Sequence, residues 1–330
     1  MKTWRVVITE CEYEDFEEER RVLEPLGCEV VKLGSRDEAV LKAALADADA
    51  VLFQWAKMTR SVIESMFRCR VIAKYATGTD GVDLAAATER GICVTNVTDF
   101  CSEEVSDHAC AMLLALSRGL KLHDGNIRRG VWSYQHARPL PDLRRGVLGV
   151  VGFGNISRLV MAKMKPFCGE IWVSSGASEE EIAAAGGVKK SFEEVTAGAD
   201  YLSVHIPGTA ENVHRFDRAA FGRMKRGACF VNVARGAVVC QEALIEALST
   251  GKVAFAALDV FEAEPLPGDS PLLRMENVLL SPHAAWYSRW AQRTLQRRAA
   301  EQIRDVLEGR CPPCLVNREL AEKFRRADRR

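Results

Sequence analysis

Short runs rich in Val and Ile recur along the chain, each separated from the next by a charged, helix-periodic stretch, and that alternation leaves few folds open. WRVVIT (4–9), EVVKL (29–33), AVLFQ (50–54), RVIAKYA (70–76) and ICVTNV (92–97) are the first five runs, with helical patterns near 15–25 and 37–47 between the first three. Strands buried on both faces read as near-continuous apolar runs, and parallel strands need crossover helices, so these hundred residues predict a parallel α/β unit. A second unit follows. Residues 102–130, with Ala111, Leu114, Ala115 and Leu122, read as one long helix; a Pro-rich connector (136–146) leads to the strand VLGVVGF (147–153). Further strands at 170–174, 200–205, 228–233, 253–258 and 278–281 predict a second doubly wound sheet, and 289–309 reads as a helix ending at Gly309.

Composition narrows the class of protein. With 330 residues, 48% of them hydrophobic, the chain can bury two domain cores. Its 45 basic residues balance 45 acidic ones, so no global field favours nucleic acid or an anionic membrane, and a small ligand is expected. The start MKTWRVVITECEYEDFEEE lacks the pattern of a signal peptide, and no run reaches about eighteen apolar residues, so a cytoplasmic protein is expected. Eleven cysteines lie singly, several in apolar runs (Cys93, Cys110, Cys229), and read as reduced; Cys311 and Cys314 form one CPPC without the second pair a zinc ribbon needs. No metal centre is expected. The terminal KFRRADRR reads as a solvated tail.

Gly152-Phe153-Gly154-Asn155-Ile156-Ser157 follows a strand and opens a helix, the context in which a Gly-rich turn binds a dinucleotide. Gly152 permits the tight turn, Gly154 lets backbone approach a pyrophosphate, and the helix N-terminus supplies N–H donors. Ser157 stands where a third glycine is usual, a small departure at a packing position. The second strand ends Trp172-Val173-Ser174-Ser175-Gly176, without the carboxylate that holds the ribose hydroxyls in NAD sites and without an Arg for a 2′-phosphate. Ser175 suits either group. NAD is the expected cofactor, with NADP as the alternative, because Glu179, Glu180 and Glu181 follow closely.

Three later segments each end a predicted strand: Val233-Ala234-Arg235-Gly236, then Leu258-Asp259-Val260-Phe261-Glu262-Ala263-Glu264-Pro265, then Ser281-Pro282-His283-Ala284-Ala285-Trp286. Ligands of open α/β sheets bind at such ends. An Arg, a carboxylate and a His gathered there suit hydride transfer to a 2-oxo acid. Arg235 would fork onto the substrate carboxylate and polarise its carbonyl. His283 would exchange the proton of the substrate oxygen, and Glu264 would hold the imidazole. Trp286 would wall the pocket against a side chain, or pack between domains.

VNVARG, ALDVFEAEP and SPHAAW, spaced as they are after GFGNIS, resemble the D-isomer-specific 2-hydroxyacid dehydrogenase family over most of the chain. The tract HAAWYS (283–288), with ATGTDGVD (76–83), is most similar to the branch of the C-terminal binding proteins, corepressors on a dehydrogenase fold. The resemblance implies Arg235, Glu264 and His283 as the catalytic set and an NAD(P)-dependent enzyme exchanging hydride with a small 2-oxo or 2-hydroxy acid. It implies that Lys74, Tyr75, Thr77 and Gly78 line the substrate side, Thr77 also touching cofactor. Ile206, Pro207 and Asn212 would line the dinucleotide, and Val233, Ala234 and Asp259 would approach the nicotinamide. The fold implied is a Rossmann nucleotide-binding domain (99–288) inserted into a flavodoxin-like substrate domain (1–98 plus 289–330), with the site in the cleft. The 102–130 helix and the arm from Trp132 to Leu143 exceed what one nucleotide domain needs, so a homodimer is expected. The rival class is a NAD(H)-sensing, corepressor-like scaffold with little turnover; a formate- or phosphite-type dehydrogenase ranks lower.

Overall fold

A computed structural model describes residues 3–134, 140 and 142–327. Part of the Pro-rich connector and of the proposed dimer arm (135–139 and 141), and the end of the basic tail (328–330), lie outside the described residues. The chain divides into two compact units, Met1–Phe100 with Ser288–Arg330, and Cys101–Tyr287.

The first unit holds β1 (Trp4–Ile8), β2 (Cys28–Lys32), β3 (Ala50–Phe53), β4 (Val71–Lys74) and β5 (Cys93–Thr95) in the order β2-β1-β3-β4-β5. Every pairing is parallel. β3 and β4 are buried along their whole length, which is why their sequences carry no polar alternation. The helix Arg289–Leu307 packs on the helix Glu17–Leu23, capped by Ser288, whose hydroxyl accepts from the Ala291 amide at 2.9 Å. The expected frayed tail is ordered in part: Ala321–Ala327 form a helix, and Lys323 donates to the Gly91 carbonyl.

In the second unit β6 (Val147–Val151), β7 (Glu170–Ser174), β8 (Val188–Lys189), β9 (Tyr201–Val204), β10 (Ala228–Asn232), β11 (Val253–Leu258) and β12 (Val278–Leu280) lie in the order β12-β11-β10-β9-β6-β7-β8. All pairings are again parallel, so every strand ends at the same edge. Strand order reverses between β6 and β9, the point at which loops of a doubly wound sheet splay apart and leave room for a ligand. Adjacent residues feed opposite cores: Val151, Leu202 and Phe230 join one, Val150, Tyr201 and Val231 the other. Phe216 anchors the first core, edge-on to Phe192 and Phe230 with ring centroids 5.3 Å apart in both pairs.

The predicted long helix is two. Ser102–Ser117 ends before Gly119, whose left-handed φ of 59° turns the chain into Leu120–Arg128. Apolar residues continue across this break, Leu122 packing on the second core while Leu120 and Ile127 stay exposed, and so a pattern reading does not show the break.

Candidate active site

The loop after β6 is shaped by what glycine omits. Gly152 has φ 106°, and a Cβ there would lie 2.4 Å from the His205 carbonyl oxygen. At Gly154 a Cβ would meet no protein atom within 4 Å, so the absent side chain leaves open space over the helix Asn155–Met164. That helix has Gly154 as its N-cap and no side-chain cap, unlike the helices Glu179–Ala184 and Phe192–Gly198, which carry full capping boxes from Ser178 and Ser191. Open space over uncapped N–H donors fits a bound pyrophosphate. Ser157 is fully buried and its hydroxyl donates to the Gly154 carbonyl at 3.0 Å, so the substitution is absorbed inside the turn. Phe153 lies under the Arg158 guanidinium, 4.0 Å from ring centroid, and Ile156 packs on the second core. Arg158 is a cation beside this loop that spacing did not reveal; it sits 3.8 Å from Glu181.

At the end of β7 the Ser175 hydroxyl accepts from the Ala177 amide at 3.1 Å, closing the turn. Ile206 packs on the first core, and Asn212 donates to the Pro207 carbonyl at 3.1 Å, which fixes the loop after β9. Val233 is buried, and the Ala234 amide donates to Asn232 Oδ1 at 3.0 Å.

The Arg–Glu–His set comes from the ends of β10, β11 and β12. His283 Nδ1 lies 2.7 Å from Glu264 Oε2. Burial alone would push Glu264 up, but the His283 hydrogen bond, the Phe261 amide (2.9 Å to Oε1) and the His283 and Arg235 charges outweigh it and hold the carboxyl below its usual range. Arg235 thus acts on the same carboxylate as His283. Its NH1 donates to the Ala234 carbonyl at 2.7 Å, and its stem lies against Gly208, where a Cβ would come within 3.0 Å of Arg235 Cγ. At Gly236 a Cβ would overlap the Phe261 carbonyl, so only glycine lets the Arg235 loop meet the Glu264 loop.

Asp259, expected near the nicotinamide, organises the loop that carries His283. Fully buried, its carboxylate accepts from Ser281 Oγ (2.5 Å) and from the Ala284 and Ala285 amides (2.9 Å each), while its carbonyl accepts from the His283 amide at 2.8 Å. It therefore holds His283 at a left-handed φ of 53°, a conformation costly for a non-glycine residue. His108, on the helix Ser102–Ser117, completes the network through Ser281 Oγ at 3.0 Å. Neither His108 nor Ser281 is visible in the sequence pattern, since partners up to 173 residues apart leave no local signal.

In the first unit two residues expected on the substrate side have side chains engaged within the fold. Tyr75 is buried and its hydroxyl donates to Glu19 Oε1 at 2.6 Å, so its ring belongs to the core and its backbone alone is left for a ligand. Lys74 is buried and donates to the Asp80 carbonyl, bracing the loop. Thr77 Oγ1 donates to the Val97 carbonyl at 3.0 Å and the Thr77 carbonyl accepts from Asn96 Nδ2 at 2.6 Å, so this loop, with Gly78, presents main chain. Trp286 packs on the second unit's own core, edge-on to Tyr287.

His205 gives this edge a pH-sensitive element. Its Nε2 lies 2.8 Å from Ser203 Oγ, and burial pushes the imidazole down to about 4. The unfolded chain takes up that proton near pH 6.5, so between about 6.5 and 4 the unfolded state binds more protons and stability falls with pH; above that window nothing is lost. The full span would be about 3 kcal/mol, and partial exposure reduces it to about 1–2 kcal/mol. Urea unfolding is expected to show a lower midpoint at pH 5 than at pH 7, with His205→Gln flattening the difference by that amount.

An uncapped Gly-rich helix start and an Arg–Glu–His set on one edge of a doubly wound sheet define a dinucleotide-dependent oxidoreductase. The sequence profile described as "D-isomer specific 2-hydroxyacid dehydrogenase, NAD binding domain" matches residues 110–285. The glyoxylate reductase of Korarchaeum cryptofilum is 38% identical over 79% of this chain and 80% of its own length. The D-3-phosphoglycerate dehydrogenase of Methanocaldococcus jannaschii is 34% identical over 95% of this chain, which spans only 59% of that longer protein. The D-lactate dehydrogenase of Aquifex aeolicus, solved with NAD and lactic acid, superposes with a TM-score of 0.82 at 26% identity, covering 92% and 96% of the two chains. The chain belongs to the D-isomer-specific 2-hydroxyacid dehydrogenase family. It is an oxidoreductase of 2-hydroxy acids with a NAD-binding domain, and no helix among the described residues is long and apolar enough to cross a membrane.

Proposed function

We propose that the chain reduces a small 2-oxo acid of the glyoxylate and hydroxypyruvate class to its D-2-hydroxy acid with NADH. The observation that carries this is the 2.7 Å contact between His283 Nδ1 and Glu264, with Asp259 fixing the backbone of His283. Nδ1 is engaged, so Nε2 is the nitrogen that donates a proton to the carbonyl oxygen during reduction and removes it from the hydroxyl during oxidation. Arg235 forks onto the substrate carboxylate, and its charge polarises the adjacent carbonyl. Bound nicotinamide supplies the hydride. Gly152, Phe153, Gly154, Asn155, Ile156 and Ser157 hold the pyrophosphate, Ser175 the ribose, and Ile206, Pro207, Asn212, Val233 and Ala234 flank the remainder. The loop after β4 offers the main chain of Thr77 and Gly78 to a carboxylate. Substrate size follows the relative matched at similar length, the glyoxylate reductase.

NAD is preferred because Glu179, Glu180 and Glu181 open the helix after β7, and hydrogen bonds at that helix start hold Glu180 below its usual range and so ionised. A 2′-phosphate there meets negative charge. The scaffold reading is not favoured, since the acid–base pair is formed. The test is nicotinamide-absorbance turnover of glyoxylate, pyruvate and hydroxypyruvate with NADH and NADPH in parallel. Turnover of glyoxylate or hydroxypyruvate, faster with NADH, is expected; dinucleotide binding with no turnover of any of the three would reverse the assignment. We also propose a homodimer, with Leu120, Ile127, Trp132 and Tyr134 exposed along the candidate face, and light scattering is expected to give twice the 36.5 kDa chain mass.

A further inference from the structure

Away from Arg235, Glu264 and His283, a second set of chemistry-bearing side chains meets on the Cys101–Tyr287 unit. His214, Cys240 and Glu262 come from three segments, yet one ligand atom from each lies within 4.8 Å of the other two. His214 Nε2 is 2.7 Å from Glu262 Oε1. We propose that these three residues form a binding site for a divalent zinc-like ion.

The donor set selects the metal. A thiolate, an imidazole and a carboxylate together suit a borderline-soft ion, whereas magnesium and calcium take oxygen ligands. Three protein ligands leave a fourth, open position for water, the coordination of zinc sites that exchange a ligand. Tetrahedral zinc with bonds of about 2.0–2.3 Å sets ligand separations of about 3.3–3.8 Å, so the His–Glu contact must widen by roughly 0.6 Å and the other separations close by at most about 1 Å. Both motions are available: the His214 and Glu262 side chains are 51% and 34% exposed and free to change rotamer.

The backbone beneath is fixed in advance. The His214 amide donates to the Ala237 carbonyl at 2.9 Å, the Phe216 amide to Val238 at 3.0 Å, and the Cys240 amide to Phe216 at 3.0 Å, pairing the two strands of chain that carry His214 and Cys240. Glu262 follows buried Phe261, whose carbonyl abuts Gly236. His214 itself holds a left-handed φ of 51°. On loading, the Cys240 thiol gives its proton to solvent and the His214–Glu262 hydrogen bond is exchanged for two metal bonds; thiolate, carboxylate and dication sum to zero charge. The ion would join the segment that follows Arg235 to the loop that carries Glu264, so occupancy stiffens the support of the catalytic set without touching it.

The test uses the full chain, stripped with chelator, in a Cys311→Ser/Cys314→Ser background that removes the CPPC as a competing ligand pair. Equilibrium dialysis with zinc is expected to give one ion per chain with roughly micromolar or tighter affinity, and cobalt a thiolate charge-transfer band. Saturating zinc is expected to raise the thermal midpoint by about 3–6 °C. Cys240→Ser and His214→Ala should each abolish the band and weaken binding at least tenfold while leaving metal-free turnover unchanged; Glu262→Gln, a surface change that spares the fold, should weaken binding as well. No bound zinc, or binding and spectrum unaltered in Cys240→Ser, would overturn the proposal.

Discussion

His283→Ala is expected to lower kcat about a thousandfold while leaving the dissociation constant for NADH unchanged, as measured by steady-state turnover and by quenching of protein fluorescence on titration with NADH. A positioned general acid contributes about 10²–10⁴ in rate, and His283 is the one group of the set whose second ring nitrogen can deliver a proton once Nδ1 is engaged by Glu264. Glu264→Gln should cost less, about ten- to a hundredfold, because an amide still accepts from Nδ1–H but no longer stabilises imidazolium. The pH profile separates the two effects. Glu264 is held below its usual range, so the pair persists as pH falls through the ordinary carboxylate range and breaks only when the carboxyl is protonated at its lowered value. In the Gln variant the part of the acidic limb that belongs to Glu264 should vanish.

What the residues disclosed in advance follows from where each signal is stored. Strands of a doubly wound sheet are buried on both faces, so Val147–Val151 and Val253–Leu258 announce themselves as unbroken apolar runs, and the Gly-rich turn is legible because only a side-chain-free residue fits 2.4 Å from the His205 carbonyl. Strand β8 is not legible in the sequence, because two residues, Val188 and Lys189, carry no period. The break at Gly119 is masked by apolar residues that continue across it. Polar networks were the least legible. Asp259 gathers Ser281, Ala284 and Ala285 from 22 to 26 residues away, and Tyr75 reaches Glu19 across 56. A sequence records which polar groups exist, but partner choice is fixed only when the fold is assembled, and so spacing gives no sign that the Tyr75 hydroxyl is engaged by Glu19 inside the core.

Arg235→Lys is expected to raise KM for the 2-oxo acid about tenfold and lower kcat/KM by about 10²–10³, although the charge is kept. The guanidinium has donors in a rigid plane; one, at NH1, is held by the Ala234 carbonyl at 2.7 Å, which fixes the orientation of the rest. An ammonium has neither the fork nor that anchor, and it loses the bidentate grip that aligns the carbonyl carbon with the hydride. The stem matters too. Gly208 leaves room for the Arg235 stem, since a Cβ there would come within 3.0 Å of Cγ, so the shorter, flexible Lys chain inherits a channel fitted to Arg. If charge alone were the function, Lys would retain most of the activity and Arg235→Ala would lose far more than Lys. If planar recognition is the function, Lys and Ala should fall within about tenfold of each other, and added guanidinium should restore part of the Ala variant's rate but leave the Lys variant, whose side chain still fills the channel, unchanged. Comparing kcat/KM for the three proteins on one 2-oxo acid decides between them.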